Sequence, residues 1–183
     1  SRTTDDFFPS LGLSFPIGKV QMQLGYAKDI LRPSFSQLSG EVTYNNRYTY
    51  QTGNPLLLPM TTDNISLNAI YRWASLSVGY QHIKNKVFYQ SIPYSEDNPS
   101  IALISLKNHP EYDRLFASLT LSPKVGIWSP QLSGQLIKQW IKLDTPFGRI
   151  SANEPFLSMV WRNGFKLPQG FVFNANVYWQ TKG

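Results

Sequence analysis

Apolar and polar residues alternate one by one along much of this chain, and the alternation is interrupted first by a tight turn, then by a long polar loop, in a repeating order. The segment Val20-Gln21-Met22-Gln23-Leu24-Gly25-Tyr26 shows the pattern. Successive side chains of a strand point to opposite faces, so Val, Met, Leu and Tyr share one side and Gln, Gln and Gly the other. The apolar set is large and aromatic, and the polar set is mostly uncharged Asn, Gln, Ser and Gly. Two faces so different fit a wall with lipid on one side and a watery lumen on the other.

The pattern predicts about eight strands. The first covers residues 7–15 and reverses at Pro16-Ile17-Gly18-Lys19; the second covers 19–30 and opens into a long segment, 31–62, rich in Asn, Tyr, Gly and Pro. Strand three is read at 63–71, with a short reversal at Arg72-Trp73-Ala74, and strand four rises from Ser75 to a loop at 93–100. Strand five covers 101–121, with a bulge expected near Asn108-His109-Pro110 because proline removes a ladder donor. A compact connection at 122–128 leads to strand six at 132–140 and a loop at 144–154 holding Pro146, Gly148 and Asn153. Strand seven at 157–161 and strand eight at 171–179 flank a turn at 167–170.

All short turns fall at one end of this wall and all long loops at the other, as in outer-membrane barrels. Strand one begins and strand eight ends at the loop side, opposite to a complete barrel entered from the periplasm. The expected fold is therefore all-β, an antiparallel up-and-down transmembrane β-barrel whose roughly eight strands form an arc of a larger barrel. In domain terms, residues 1–183 read as a partial outer-membrane β-barrel domain, with the remaining strands elsewhere. Strands four and five exceed the roughly 9 to 11 residues needed to cross a membrane. Their upper halves, with Lys84 and Lys86, are expected to stand in water as an extended hairpin. Trp73 and Trp128 lie beside short turns, where an aromatic girdle belongs.

Composition supports the same class. Charged residues are 15% of the chain and aromatics 14%, a poor recipe for a soluble surface when about 25% charge is usual. The net charge of +6 comes from scattered Lys and Arg without a basic run or recognition motif, which argues against nucleic acid. Cysteine is absent, so there is no disulfide framework or thiolate metal site. No run reaches the roughly 20 apolar residues of a spanning helix. The polar start, Ser1-Arg2-Thr3-Thr4-Asp5-Asp6, lacks a signal peptide's apolar core. A targeting segment is expected to have been removed or to lie upstream in a longer chain, and the loop-side ends favour the second.

Three stretches carry a resemblance. Phe7-Phe8-Pro9-Ser10-Leu11, then Gly25-Tyr26-Ala27-Lys28-Asp29-Ile30-Leu31-Arg32-Pro33-Ser34-Phe35-Ser36-Gln37-Leu38, then Gly53-Asn54-Pro55-Leu56-Leu57-Leu58-Pro59 resemble the barrel portion of TonB-dependent outer-membrane receptors. More narrowly they are similar to the outer-membrane β-barrel family grouped with those receptors in Gram-negative bacteria. The likeness is close over about the first 80 residues and one of rhythm beyond them. It implies location in the bacterial outer membrane and active uptake of a scarce nutrient. It further implies contact with membrane lipid, coupling to the TonB complex through a plug domain that lies outside residues 1–183, and a surface lipoprotein as a further partner.

Each motif also has a local physical reading. Pro33 holds Arg32 extended and ends strand pairing, and Phe35 and Leu38 are expected to fold the loop back onto the barrel rim. Gly53, Asn54 and Pro55 form a turn signal in which Gly or Asn supplies unusual backbone angles, and Pro59 stops pairing before strand three. These residues read as rim architecture.

Catalysis finds little support: His82 and His109 are isolated in sequence and no nucleophile, metal or phosphate-cradling motif appears. The chain reads as a non-enzyme without a cofactor. Glu96-Asp97 and Glu111-Asp113 read as solvated loop carboxylates, with calcium ligation as the sharper alternative. Lys138 and Arg162 either line a path for anionic solutes or snorkel at an interface. For ligand contact the candidates are Tyr44, Asn46, Arg47, Tyr48 and Tyr50, whose rings offer stacking area and whose amide and guanidinium groups offer polar selectivity. Competing readings are a small barrel with a structural or adhesive role and a soluble β-sandwich binding module. The sandwich requires a charged face on every strand and no strict alternation of long and short connections.

Overall fold

A computed structural model of the chain describes residues 7–96, 99–145, 148–151 and 153–182. Asp97 and Pro146, singled out above, and the two ends of the chain lie outside the described residues. The elements in chain order are β1 (Ser10–Ile17), β2 (Val20–Leu31), α1 (Phe35–Leu38), β3 (Val42–Asn46), β4 (Thr49–Thr52), β5 (Met60–Tyr71), β6 (Ala74–Pro93), β7 (Ala102–Leu121), β8 (Trp128–Trp140), β9 (Lys142–Thr145), β10 (Gly148–Ser151), β11 (Phe156–Lys166) and β12 (Val172–Gln180). Eight of them form one antiparallel wall in the order β1-β2-β5-β6-β7-β8-β11-β12, and β9 and β10 pair as a separate hairpin. The wall is open, with β1 and β12 at its edges.

The ladder registers align side chains in rows across all eight strands. One row reads Ser14, Gln23, Asn68, Ser77, Ser118, Gln135, Ser158 and Gln180, every member polar and uncharged. The adjacent row reads Leu13, Leu24, Leu67, Val78, Ala117, Leu136 and Leu157, every member apolar. Leu13, Leu24, Leu76, Leu119, Trp161 and Val177 on the apolar face are all exposed. A wall that exposes its large apolar residues and keeps amides and hydroxyls on the other side is built for lipid.

The height of the apolar band can be measured along β8. Its lower limit is an aromatic row, Trp128, Phe165 and Phe173, with ring centroids 6.3 and 5.9 Å apart. Its upper limit is the row Tyr26, Ile65, Tyr80, Leu115 and Lys138. Both tyrosine hydroxyls reach toward the long-loop end, Tyr26 donating to Asp63 and Tyr80 to Asp113, each at 2.7 Å. From Trp128 to Lys138 is ten residue steps, which at about 3.4 Å per residue and a tilt of about 40° is roughly 26 Å, the height of an outer-membrane apolar band. Trp73 joins the lower girdle edge-on to Tyr71 at 5.7 Å.

Tight turns close the lower end. Gly18 has φ +60° at the first central position of the β1–β2 turn, where glycine meets no steric cost, and Arg72 occupies the same place between β5 and β6 with φ 25°. The strand boundaries differ from the alternation reading in places. β1 starts at Ser10 rather than residue 7, since Pro9 has no N–H for the ladder, though its carbonyl still accepts from Lys28. β11 runs to Lys166 rather than stopping at 161.

The expected bulge is absent. Pairing of β6 with β7 keeps one register from Ala74↔Leu121 to Pro93↔Ala102, and only the Asn85/Pro110 pair is missing from it. Proline has no N–H to donate, and the opposing residue absorbs the irregularity: Asn85 is left-handed, with φ 57°. Beyond it the faces exchange. Phe88, which strict alternation would place beside His82 and Lys84, packs against Ile83, Tyr112 and Ile141, a buried cluster among the described residues. The extended hairpin itself is present, with 20 residues in each of β6 and β7.

The segment between β2 and β5 is no plain loop. Ser34 caps α1 in a reciprocal box with Gln37, and β3–β4 forms a hairpin whose second strand runs parallel to the top of β7, Tyr50 pairing with Leu103. Phe35 does not fold back onto the rim: it is 91% exposed on the first turn of α1, while Leu38 is half-buried. Nor does Gly53 supply unusual backbone angles, since it is not among the positive-φ residues. Its lack of a side chain serves close approach, because a Cβ there would strike the carbonyl oxygens of Gln37 and Ser39.

That approach lets Asn54 N–H donate to the Gln37 carbonyl at 2.7 Å. The Asn54 side chain donates to the Leu106 carbonyl of β7 and accepts from Leu56 N–H, both at 2.9 Å. Asn108 of β7 completes the clasp, accepting from Leu58 N–H at 2.8 Å and donating to the Leu58 and Asn85 carbonyls. The two rim motifs are thus the two halves of one contact, and Pro55 and Pro59 bracket the segment that makes it.

Two outcomes follow from this geometry. In the whole protein folded into lipid vesicles, Leu67→Arg, two residues below the Ile65 row, should cost about 1–2 kcal/mol, between the penalties for a charge at the bilayer midplane and at its interface. Asn68→Arg, next door on the polar face, should cost far less; the heat-modifiable gel shift of folded barrels measures both, and a reversed order would invert the assignment of faces. Asn54→Ala should speed amide exchange at Leu56 by roughly 5- to 150-fold, the effect of about 1–3 kcal/mol of lost hydrogen bonding. Exchange at Leu67 should stay unchanged.

Candidate functional site

At the long-loop end the β3–β4 hairpin carries Tyr44, Tyr48 and Tyr50. Tyr44 and Tyr50 face each other across it as a ladder pair, rings edge-on at 5.6 Å. Tyr50 in turn stacks at 4.7 Å on Tyr94, which follows the end of β6. At the hairpin tip Arg47 lies over the Tyr48 ring at 5.5 Å, and the Asn46 side-chain oxygen accepts from Tyr48 N–H at 2.9 Å. The Tyr48 carbonyl accepts from Ala102 N–H of β7. Tyr44 and Tyr48 each keep about 60% of their surface exposed.

These contacts divide the five candidate residues. Tyr44 and Tyr50 come together and recruit Tyr94; Arg47 and Tyr48 form a second, adjoining pair; Asn46 spends its oxygen on the turn and keeps its amide N–H groups. Tyr94 sits 44 positions from Tyr50, and only the parallel pairing of β4 with β7 brings the two together. The surface offers ring faces and a guanidinium, a combination suited to flat, polar-edged ligands.

Neither histidine is isolated in space. His82 lies between two acids, its Nδ1 2.7 Å from Asp113 and its Nε2 3.7 Å from Glu111, while Glu111 also lies 3.9 Å from Lys84. Asp113 and Glu111 thus flank one imidazole just above the apolar band, and among the described residues no group of acids and histidines converges to hold a metal ion. Such part-exposed pairs contribute little to stability. The His109 Nε2 donates to the Lys142 carbonyl at 2.7 Å, anchoring the β9–β10 hairpin.

Lys138 and Arg162 fall on opposite faces. Lys138 is on the apolar face at the top of the band, its ammonium 5.2 Å over the Trp140 ring, in the manner of a snorkelling interfacial lysine. Arg162 is exposed in a row of the polar face with Gln131 and Asn176.

Comparison with known proteins agrees with this architecture. The siderophore receptor PirA of Pseudomonas aeruginosa superposes with a TM-score of 0.70 at 15% identity, covering 96% of this chain and 34% of the receptor. A variant of the ferric enterobactin receptor PfeA of the same organism, crystallised with enterobactin, gives 0.66 at 18% identity over 96% and 28%. The chain therefore spans about a third of the length of these solved receptors, and the likeness is one of fold. No curated protein matches the chain. The family model for the outer membrane protein beta-barrel family matches residues 1–183. With a two-faced wall of membrane height and that match from end to end, the chain belongs to the outer membrane protein beta-barrel family and resides in the bacterial outer membrane.

Proposed function

We propose that this chain is part of the barrel of a TonB-dependent receptor that takes up a scarce nutrient, with an iron chelate as the first candidate. The observation that carries the reading is the unbroken eight-strand wall, apolar outside and polar inside, which follows receptor barrels over 96% of its length. The remaining strands and a plug that contacts TonB belong to other parts of the same polypeptide. A scarce nutrient must be captured before it is moved, and the Tyr44, Tyr50 and Tyr94 group with Arg47 and Tyr48 provides a stacking surface at the outer mouth. The clasp to β7 holds that surface in place before a ligand arrives, which lowers the ordering cost of binding.

The reading is tested by deleting the gene and comparing growth on iron supplied as a panel of ferric chelates with growth on other scarce nutrients. Loss of growth on one nutrient, restored by the wild-type gene, is the expected result. Complementation with Tyr48→Ala should restore it only at about tenfold higher nutrient concentration, as for loss of a stacking contact worth ~1–1.5 kcal/mol. Unchanged growth on every nutrient, with altered detergent sensitivity, would instead identify a structural barrel.

A further inference from the structure

Four neighbouring strands place Asn64, Gln81, Arg114 and Gln139 in one row of the polar face. At about 4.8 Å between strands the row spans roughly 14 Å. It is rich in donors, with a guanidinium and three primary amides. Arg114, Gln81 and Gln139 make no side-chain hydrogen bond or ion pair among the described residues, and the buried Asn64 Oδ1 has no donor. The one acid on this face within the wall's described strands, Asp29, lies three strands away on β2.

The row is bracketed by apolar side chains. Below it Phe116, its ring laid over Gly79, stands beside Ile137; above it Ile83, Tyr112 and Ile141 are buried. Apolar flanks lower the local dielectric, so a charge opposite Arg114 is held more strongly than in open water. A half-buried arginine without a counter-charge, with an acceptor that lacks a donor two strands, or about 10 Å, along the row, is complementary to a group that brings both an oxyanion and a hydroxyl.

We propose that the Asn64-Gln81-Arg114-Gln139 row is a binding strip for a carboxylate-bearing group inside the barrel, with Arg114 as its anchor. The proposal rests on the polar face being the lumen, as in the function proposed above. The carboxylate comes either from a solute in transit or from a polypeptide segment held within the barrel, and the two sources separate experimentally.

The test uses the full-length receptor in lipid vesicles, with citrate as the probe because it carries carboxylates and a hydroxyl. Phenylglyoxal modification of arginine is read by peptide mass spectrometry, with Arg162 as the reference on the same face. Citrate slowing modification at Arg114 by about tenfold, and not at Arg162, identifies a solute site. If Arg114 is instead shielded without citrate, the Arg114→Lys variant, checked for folding by its heat-modifiable mobility, should form a carbodiimide cross-link to an Asp or Glu of the receptor. Modification of Arg114 indifferent to citrate, or shielding without a cross-link, overturns the proposal. Because the readout is chemical protection and not growth, it stands or falls separately from the uptake experiment.

Discussion

Within hydrocarbon no water is available to a bare amide, so each backbone N–H and C=O must find its partner inside the protein. The wall meets that demand with antiparallel ladders that run in constant register between successive strands. Once register is fixed, the two-residue period fixes everything on the faces. A slip of one residue would exchange the Leu67 row for the Asn68 row and present amides to lipid. The uniformity of those rows is therefore a result of the ladder and also what holds it in place.

The same constraint explains where irregularity is found. Pro110, left-handed Asn85, the exchange of faces at Phe88 and the parallel pairing of β4 all lie above the Tyr26–Tyr80 row. There water can satisfy a lost ladder bond, and the chain is free to use side chains such as Asn54 and Asn108 as connectors. The band below carries the plain alternation, with amides, hydroxyls and glycines on the polar side interrupted by Phe116 and Ile137. Conformational variety thus gathers at one end of the molecule.

Legibility in the sequence follows this division. The strands of the wall could be read because Leu13, Leu24, Leu67 and their neighbours repeat at a period that belongs to one structure only. Trp73 and Trp128 could be placed because interfacial tryptophan beside a turn has a physical cause. The region 31–62 could not: α1 has a single turn, β3 and β4 are short, and the partner that organises them is β7, more than 40 residues away. Gly53 looked like a turn glycine because sequence carries no record of which carbonyls come near it. The face of Arg114 was within reach of simple counting from Ser118, but its lack of a partner is a property of the assembled sheet.

The clasp has a mechanical consequence. The segment leaves β2 and returns to β5, yet its fastenings are on β7, two strands further on. A force applied at the tip of the β6–β7 hairpin is transmitted through Leu106 and Asn108 to Asn54 and Leu58, and through Ala102 to Tyr48. The hairpin and the tyrosine-bearing segment are fastened to each other above the tyrosine row, so a displacement of either one is shared by the other.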